Sequence, residues 1–190
     1  MRRTSPWSVL VLQVLVLPMS VLIGYSSPAR AQSGHAMSVT GAVVNTVAEG
    51  EFESQHYWGW MGSVAGDLTR SFGIVVEVSE EYRGDNYNDS FSNFTLMGGP
   101  RFARRIGQVR PFVQFPAGWS RSQATFRLGA HSDTYSSNLF AFQPGGGVDV
   151  SLTDRFAIRL GADYLVGEPW HAEAWRIWNV RFVTGLTYKL

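Results

Sequence analysis

The 190-residue chain contains no cysteine, which excludes disulfide scaffolds, zinc-thiolate sites and thiol nucleophiles. Charge is scarce as well. Only 16% of residues carry it against 45% that are apolar, a balance that excludes a disordered chain and an acidic or basic tail protein. A net charge of +1 gives no excess of Lys and Arg on which a nucleic-acid footprint could rest, so no nucleic-acid partner is expected. Beyond residue 31 no run approaches the 18 or so consecutive apolar residues of a membrane-spanning helix. What the chain does have is 20 glycines and 26 aromatics, with a mean hydropathy of −0.06 that, as an average, reads like a soluble domain.

The first 31 residues read as an address. Arg2 and Arg3 form a positive start, an apolar run extends from Val9 to Ile23, and Ala29-Arg30-Ala31 is a small-x-small cleavage site. Pro18 and Ser20 interrupt the apolar run, which argues for a cleaved signal peptide over an anchor. Residues 1–31 are therefore expected to be a cleavable signal peptide and 32–190 the working domain. Removing Arg2, Arg3 and Arg30 leaves 13 basic and 15 acidic groups, a net of −2. An exported chain without cysteine fits the bacterial cell envelope.

Read in steps of two, the rest of the chain changes character. Phe156 to Tyr164 puts Phe156, Ile158, Leu160, Ala162 and Tyr164 on one face and Ala157, Arg159, Gly161 and Asp163 on the other. The last segment aligns Val180, Phe182, Thr184, Leu186, Tyr188 and Leu190 opposite Asn179, Arg181, Val183, Gly185, Thr187 and Lys189. Six more segments follow the same rule: Ser38 to Val47, Tyr57 to Leu68, Phe72 to Tyr82, Phe91 to Ala103, Val109 to Arg121 and Ser137 to Leu152. The expected fold is all-β, an eight-stranded antiparallel up-and-down transmembrane β-barrel. The joins fit, because short ones (69–71, 104–108, 153–155) alternate with longer polar ones (48–56, 83–90, 122–136, 167–174), as periplasmic turns alternate with outer loops.

Aromatics fall near predicted strand ends, where a membrane-interface girdle belongs: Tyr57, Trp58, Trp60, Phe91, Phe94, Trp119, Trp170, Trp175 and Trp178. A soluble lipocalin-like barrel has the same strand count. It would need a richly charged outer face, whereas the face opposite the apolar one is here mostly Gly, Ala and Ser with a few charges, the composition of a narrow lumen.

Six motifs occur in order: Gly59-Trp60-x-x-Ser63-Val64-Ala65-Gly66, Phe72-Gly73-Ile74-Val75, Gly98-Gly99-Pro100-Arg101-Phe102, Arg110-Pro111-Phe112, Gly145-Gly146-Gly147-Val148-Asp149-Val150, and Arg155 to Arg159 with Asp163-Tyr164. Together, over roughly residues 57–190, the chain resembles the bacterial outer-membrane β-barrel domain family, small eight-stranded porin-family-like proteins of the OmpA and OmpX kind. The first strand departs from the family pattern, with Gly41-Ala42-Val43-Val44-Asn45 where a Gly-Tyr-Ser-Tyr type segment is usual. The resemblance implies location in the bacterial cell outer membrane, contact with outer-membrane lipid and lipopolysaccharide, and a monomer. It also implies a C-terminal assembly signal at Gly185, Tyr188 and Leu190, read by the barrel-assembly machinery.

If apolar positions face lipid, Asp67, Glu77, Arg101, Arg110, Gln114, Gln143, Asp149, Arg159, Asp163, Arg181 and Lys189 face inward. Eight strands leave an interior just wide enough for side chains, so these charges have to pair. The expected core of that lumen charge network is Glu77, Arg101, Arg110, Asp149, Arg159, Asp163 and Arg181, acting as a salt-bridge plug. The alternative is a narrow channel in which Arg101, Arg110 and Arg159 favour anions. Catalytic, cofactor-binding and metal residues are not expected. His56, His131 with Ser132, and His171 are the only prompts toward a lipid-modifying enzyme, and no acid sits where it would orient them. Glu49, Glu51, Glu53, Asp85 and Asp89 make the expected outer loops acidic and match no Ca²⁺-loop pattern.

Overall fold

A computed structural model describes residues 37–49, 54–84, 90–128, 131–167 and 177–190. The chain divides into the units Met1–Ser33 and Gly34–Leu190. The first unit, which holds the whole of the expected leader and its cleavage site, lies outside the described residues, as do parts of four expected loops. No helix among the described residues is long and apolar enough to cross a membrane.

The strands are β1 (Met37–Glu49), β2 (Ser54–Asp67), β3 (Phe72–Gly84), β4 (Ser90–Ala103), β5 (Val109–Gln114), β6 (Ala117–Leu128), β7 (His131–Phe142), β8 (Gly145–Ser151), β9 (Phe156–Gly167) and β10 (Ile177–Lys189). All pairings are antiparallel, and β1 pairs with β10 from Ser38↔Lys189 to Ala48↔Asn179, which closes the sheet. Ten segments make eight staves. Val109↔Val150 and Ala117↔Phe142 belong to one unbroken register, so β5 with β6, and β7 with β8, are single strands interrupted at proline. Pro116 and Pro144 each lack an N–H and drop one rung. Their carbonyls stay in the ladder, accepting from Gln143 N (2.8 Å) and Tyr164 N (2.9 Å).

All eight expected strands are present, most of them longer by one to seven residues at one end or both, while those expected to end at Leu68, Leu152 and Leu190 stop one residue earlier. One expected loop is corrected. Residues 122–136 are mostly strand, because β6 continues to Leu128 and β7 begins at His131. His131 and His56, placed in loops by the sequence, therefore lie in β7 and β2. The physical reason is that hydrophobic alternation reports a strand only where one face meets an apolar medium. Beyond that zone, backbone pairing continues while both faces turn polar.

Polarity is inverted relative to a soluble barrel. Outward residues such as Val43 (55% exposed), Ile74, Val76, Leu96, Phe182 and Leu186 are apolar, while Glu77, Arg101, Arg159 and Arg181 (0% exposed) are buried inside. An apolar outer band around a polar interior is the arrangement that hydrocarbon demands. Two small apolar clusters lie inside the barrel among the described residues, Val44, Met61 and Val183 packed with Ala42, and Met97, Ala141 and Leu165 packed with Leu139.

Glycines on the inner face permit the coiling that closes the barrel. A Cβ at Gly147 would run into the Leu160 carbonyl oxygen of the adjoining strand, whereas one at Gly41 would meet nothing within 4 Å. The turn after β4 uses glycine differently: Ile106 and Val109 exchange both backbone hydrogen bonds around Gly107-Gln108, and Gly107 adopts φ 63°, the left-handed conformation that such two-residue hairpin turns favour. Substituting Gly147→Ala is expected to cost about 1–3 kcal/mol in urea unfolding of the refolded barrel. Gly41→Ala should stay within about 0.5 kcal/mol.

Candidate functional site

Inward residues on each stave stack along the barrel axis, and the registers fix which charges meet. At the short-turn end Arg110 donates from Nη2 to Asp67 Oδ1 at 2.6 Å, and Lys189 Nζ donates to Ser151 Oγ at 2.7 Å. Further in, Asp149 lies directly across the β8–β9 ladder from Arg159. It accepts a bidentate pair from Arg159, Nε to Oδ1 at 2.7 Å and Nη2 to Oδ2 at 3.0 Å, and a third bond from Arg101 Nη2 at 2.8 Å. Phe112 wedges against both cations, its ring centroid 4.2 Å from Arg101 Cζ and 4.8 Å from Arg159 Cζ. Counted formally, this cluster has two cations and one anion.

Toward the long-hairpin end the balance reverses. Arg181, opposite Asp163 across the β9–β10 ladder, donates from Nη1 to Gln143 Oε1 at 2.6 Å. Its Nη2 lies 3.4 Å from Glu77, and its Nε lies 3.1 Å from Glu81 and 3.3 Å from Asp163. Glu77 also accepts from Gln143 Nε2 at 2.8 Å and from Gln114 Nε2 at 3.4 Å, and Glu81 accepts from Thr46 Oγ1 at 2.7 Å. Three carboxylates thus surround one guanidinium. Arg suits the post because its planar fork serves several acceptors at once.

Between the clusters lies a cavity of about 10 Å³, room for a single water, lined by Met61, Phe112 and Val183 together with Glu77, Gln114, Arg159 and Asp163. Nearer the long-hairpin end, Asn93 Oδ1 accepts from Ser120 (2.9 Å) and Ser122 (3.1 Å). Among the described residues no group of three or more His, Asp or Glu side chains is placed to hold a metal ion.

All seven residues expected in the lumen network lie inside the barrel. They form three separate groups: Arg110 with Asp67, Arg101 and Arg159 with Asp149, and Arg181 with Glu77 and Asp163. Sequence reasoning missed Glu81 and Phe112. Both were findable, since Glu81 continues the Gly73, Val75, Glu77, Ser79 face and Phe112 lies between inward Arg110 and Gln114. Of the aromatic set, Trp58, Trp60 and Trp119 point outward, and Trp119 packs edge-on against Phe94 at 5.9 Å. Tyr57 and Phe91 are corrected: their rings meet at 5.4 Å although β3 separates their strands, which is possible only across the barrel interior. Trp170, Trp175, His171 and the side chains of Trp178 and His131 lie outside the described residues. At the C-terminus Gly185 lies against Gly41 and Ala42 across the closing seam, Tyr188 packs on Phe156 at 5.2 Å, and Leu190 N donates to Met37 O at 2.9 Å.

No family model and no curated protein matches the sequence. Solved structures do. Ail, the attachment invasion locus protein of Yersinia pestis, aligns with a TM-score of 0.65 at 15% identity over 83% of this chain and 100% of its own. Neisserial surface protein A aligns with a TM-score of 0.65 at 13% identity over 82% and 99%. A major outer membrane protein of Thermus thermophilus gives 0.55 at 14% identity over 84% and 100%. The fold of this chain is thus that of small outer-membrane barrels.

The burial of the two kinds of ion pair separates their energetic weight. Among the described residues Asp149→Asn removes the one carboxylate bonded to two guanidiniums buried to within a few per cent, and should destabilise the refolded barrel by about 3–5 kcal/mol in urea titration. Arg110→Gln breaks a pair that is about one-fifth exposed and should cost less than about 1 kcal/mol.

Proposed function

We propose that this chain is an integral outer-membrane β-barrel protein of a bacterial envelope, with a structural or surface-interaction role and an occluded lumen. The observation that carries this reading is the inverted polarity: paired, buried charge inside and an apolar band outside. Residues 1–31 act as the cleaved leader, so the mature chain starts at Gln32. The short-turn end, where both strand termini also lie, faces the periplasm, and the barrel-assembly machinery reads Gly185, Tyr188 and Leu190. The barrel works as a monomer in contact with outer-membrane lipid and lipopolysaccharide.

Occlusion follows from the arrangement of charge. A cation moving along the axis meets the Arg101–Asp149–Arg159 cluster, and an anion meets the three carboxylates around Arg181, so each sign of ion faces a barrier. Arg101, Arg110 and Arg159, the residues that would favour anions in a channel, are all engaged by Asp149 or Asp67. Catalysis gets no support from His56, which is exposed and has no side-chain partner among the described residues.

The surface role rests on the β6–β7 hairpin. Past the last β7–β9 pair, Ala141↔Gly167, residues 131–140 pair with β6 alone among the described residues. The tip of the hairpin runs three residue pairs past the last β4–β6 pair, Ser90↔Thr125, about 10 Å of ladder, with Tyr135 exposed near it.

The purified protein should fractionate with the outer membrane, show heat-modifiable gel mobility, and give no steady conductance in planar bilayers. Recovery in the soluble periplasm would refute the membrane reading. Stable unitary currents would instead favour the narrow channel.

A further inference from the structure

The three short turns share a composition that neither the lumen nor the closure of the barrel requires. Each exposes one large aliphatic side chain at its edge: Leu68 (48% exposed), Ile106 (64%) and Leu152 (58%). Each also exposes arginine: Arg70 in the first, Arg104 and Arg105 in the second, Arg155 in the third. The side chains of Arg70, Arg104 and Arg155 make no ion pair or hydrogen bond among the described residues, and Arg105 Nε donates only to the Gly107 carbonyl at 3.2 Å. Asp154 is the only acid in these turns.

The turns are also held in place. The first and third are near copies, Leu68-Thr69-x-x-Phe72 and Leu152-Thr153-x-x-Phe156. In both, the threonine Oγ1 accepts from the phenylalanine N at 3.0 Å, and the phenylalanine carbonyl accepts from the leucine N at 2.9 Å. Directly above them stand the outward aromatic pairs Phe72–Phe102 and Phe156–Tyr188, each at 5.2 Å, which mark the edge of the apolar band. The arginines therefore project from rigid positions at headgroup depth, beside aliphatic side chains that fit the acyl boundary.

We propose that the short-turn rim is a binding surface for anionic phospholipids, with the arginines of all three turns engaging phosphodiester headgroups of the leaflet in which the rim sits. This rests on the membrane reading above. Guanidinium groups match phosphate oxygens bidentately. The neighbouring Leu68, Ile106 and Leu152 select a lipid over a soluble anion or a cell-wall polymer, neither of which offers them an apolar partner. The rest of the sequence points the same way, since the opposite end is acidic: Glu51, Glu53, Asp85, Asp89, Glu168 and Glu173 all fall in the joins there.

The test uses mature protein purified from the envelope and reconstituted in phosphatidylcholine bilayers, with spin-labelled phosphatidylglycerol or phosphatidylcholine as probe. The motionally restricted fraction should report a roughly threefold to tenfold preference for phosphatidylglycerol at low salt, and the preference should collapse at 1 M salt. The quadruple variant R70Q/R104Q/R105Q/R155Q should lose it. The corresponding quadruple Lys variant should retain most of it, and Arg121→Gln, on the outward face of β6, should leave it unchanged. Equal affinity for both lipids in an inserted, heat-modifiable barrel overturns this proposal alone, as does full selectivity in the Gln variant. Arginine-dependent binding to purified cell-wall sacculi without lipid preference also overturns it. A chain that never inserts overturns the membrane reading itself.

Discussion

In hydrocarbon a backbone amide or carbonyl without a partner costs several kcal/mol, and no water is present to stand in. A sheet can cross such a medium only if it has no edge. The β1–β10 seam meets this demand along eleven residue pairs, from Ser38 to Ala48, and most other features follow from it. Gly185, pressed against Gly41 and Ala42 at the seam, leaves no room for a side chain. Pro116 and Pro144 each sacrifice a rung, yet the register on both sides is preserved because the proline carbonyls remain acceptors. Closure tolerates a missing donor far better than a slipped register, since a slip of one residue would turn every lumen charge of the slipped strand into the lipid.

Closing eight strands leaves an interior just wide enough for side chains to fill. Every cation inside then needs an acceptor, and the registers supply them: Asp149 lies across from both Arg159 and Arg110, and Asp163 lies across from Arg181. Burying such pairs is not stabilising in itself, because desolvation offsets most of the attraction. Their effect is on specificity. With one partner gone, the remaining charge is stranded in low dielectric, so only the register that joins all of them is tolerable. Phe112 adds a second role for an inward aromatic, packing its ring against two like-charged guanidiniums that the π-face attracts.

The strands were legible because lipid imposes period 2 on whatever it touches, and the inward charges were legible by parity once one face was assigned. Legibility failed where that imposition stops. Ser122 to Leu128 and His131 to Ser136 carry Ser, Thr, Gln, Arg and Asp on both faces, so nothing in their hydropathy separates a projecting hairpin from a loop. Tyr57 and Phe91 failed for a related reason. Aromatic residues near strand ends suit an interface girdle and a barrel mouth equally, and only their parity with Gly59 and Asn93 separates the two. Which charges would group together was not readable either, because neighbours across the lumen come from strands far apart in sequence, as with Arg181 and Glu77.

The near-zero net charge conceals an ordered separation. Basic residues collect in the short turns and in the cluster around Asp149, while acidic ones collect around Arg181 and in the joins at the opposite end. Rim and adjacent lumen cluster thus share a sign at each end, so the barrel carries a dipole along its axis. A dipole of this sense is favoured when the leaflet at the basic end is anionic, and penalised when an anionic layer covers the acidic end without counter-ions. At that end divalent cations would have to bridge the carboxylates to any phosphorylated saccharide, which is a different chemistry from the direct guanidinium contact available at the short turns.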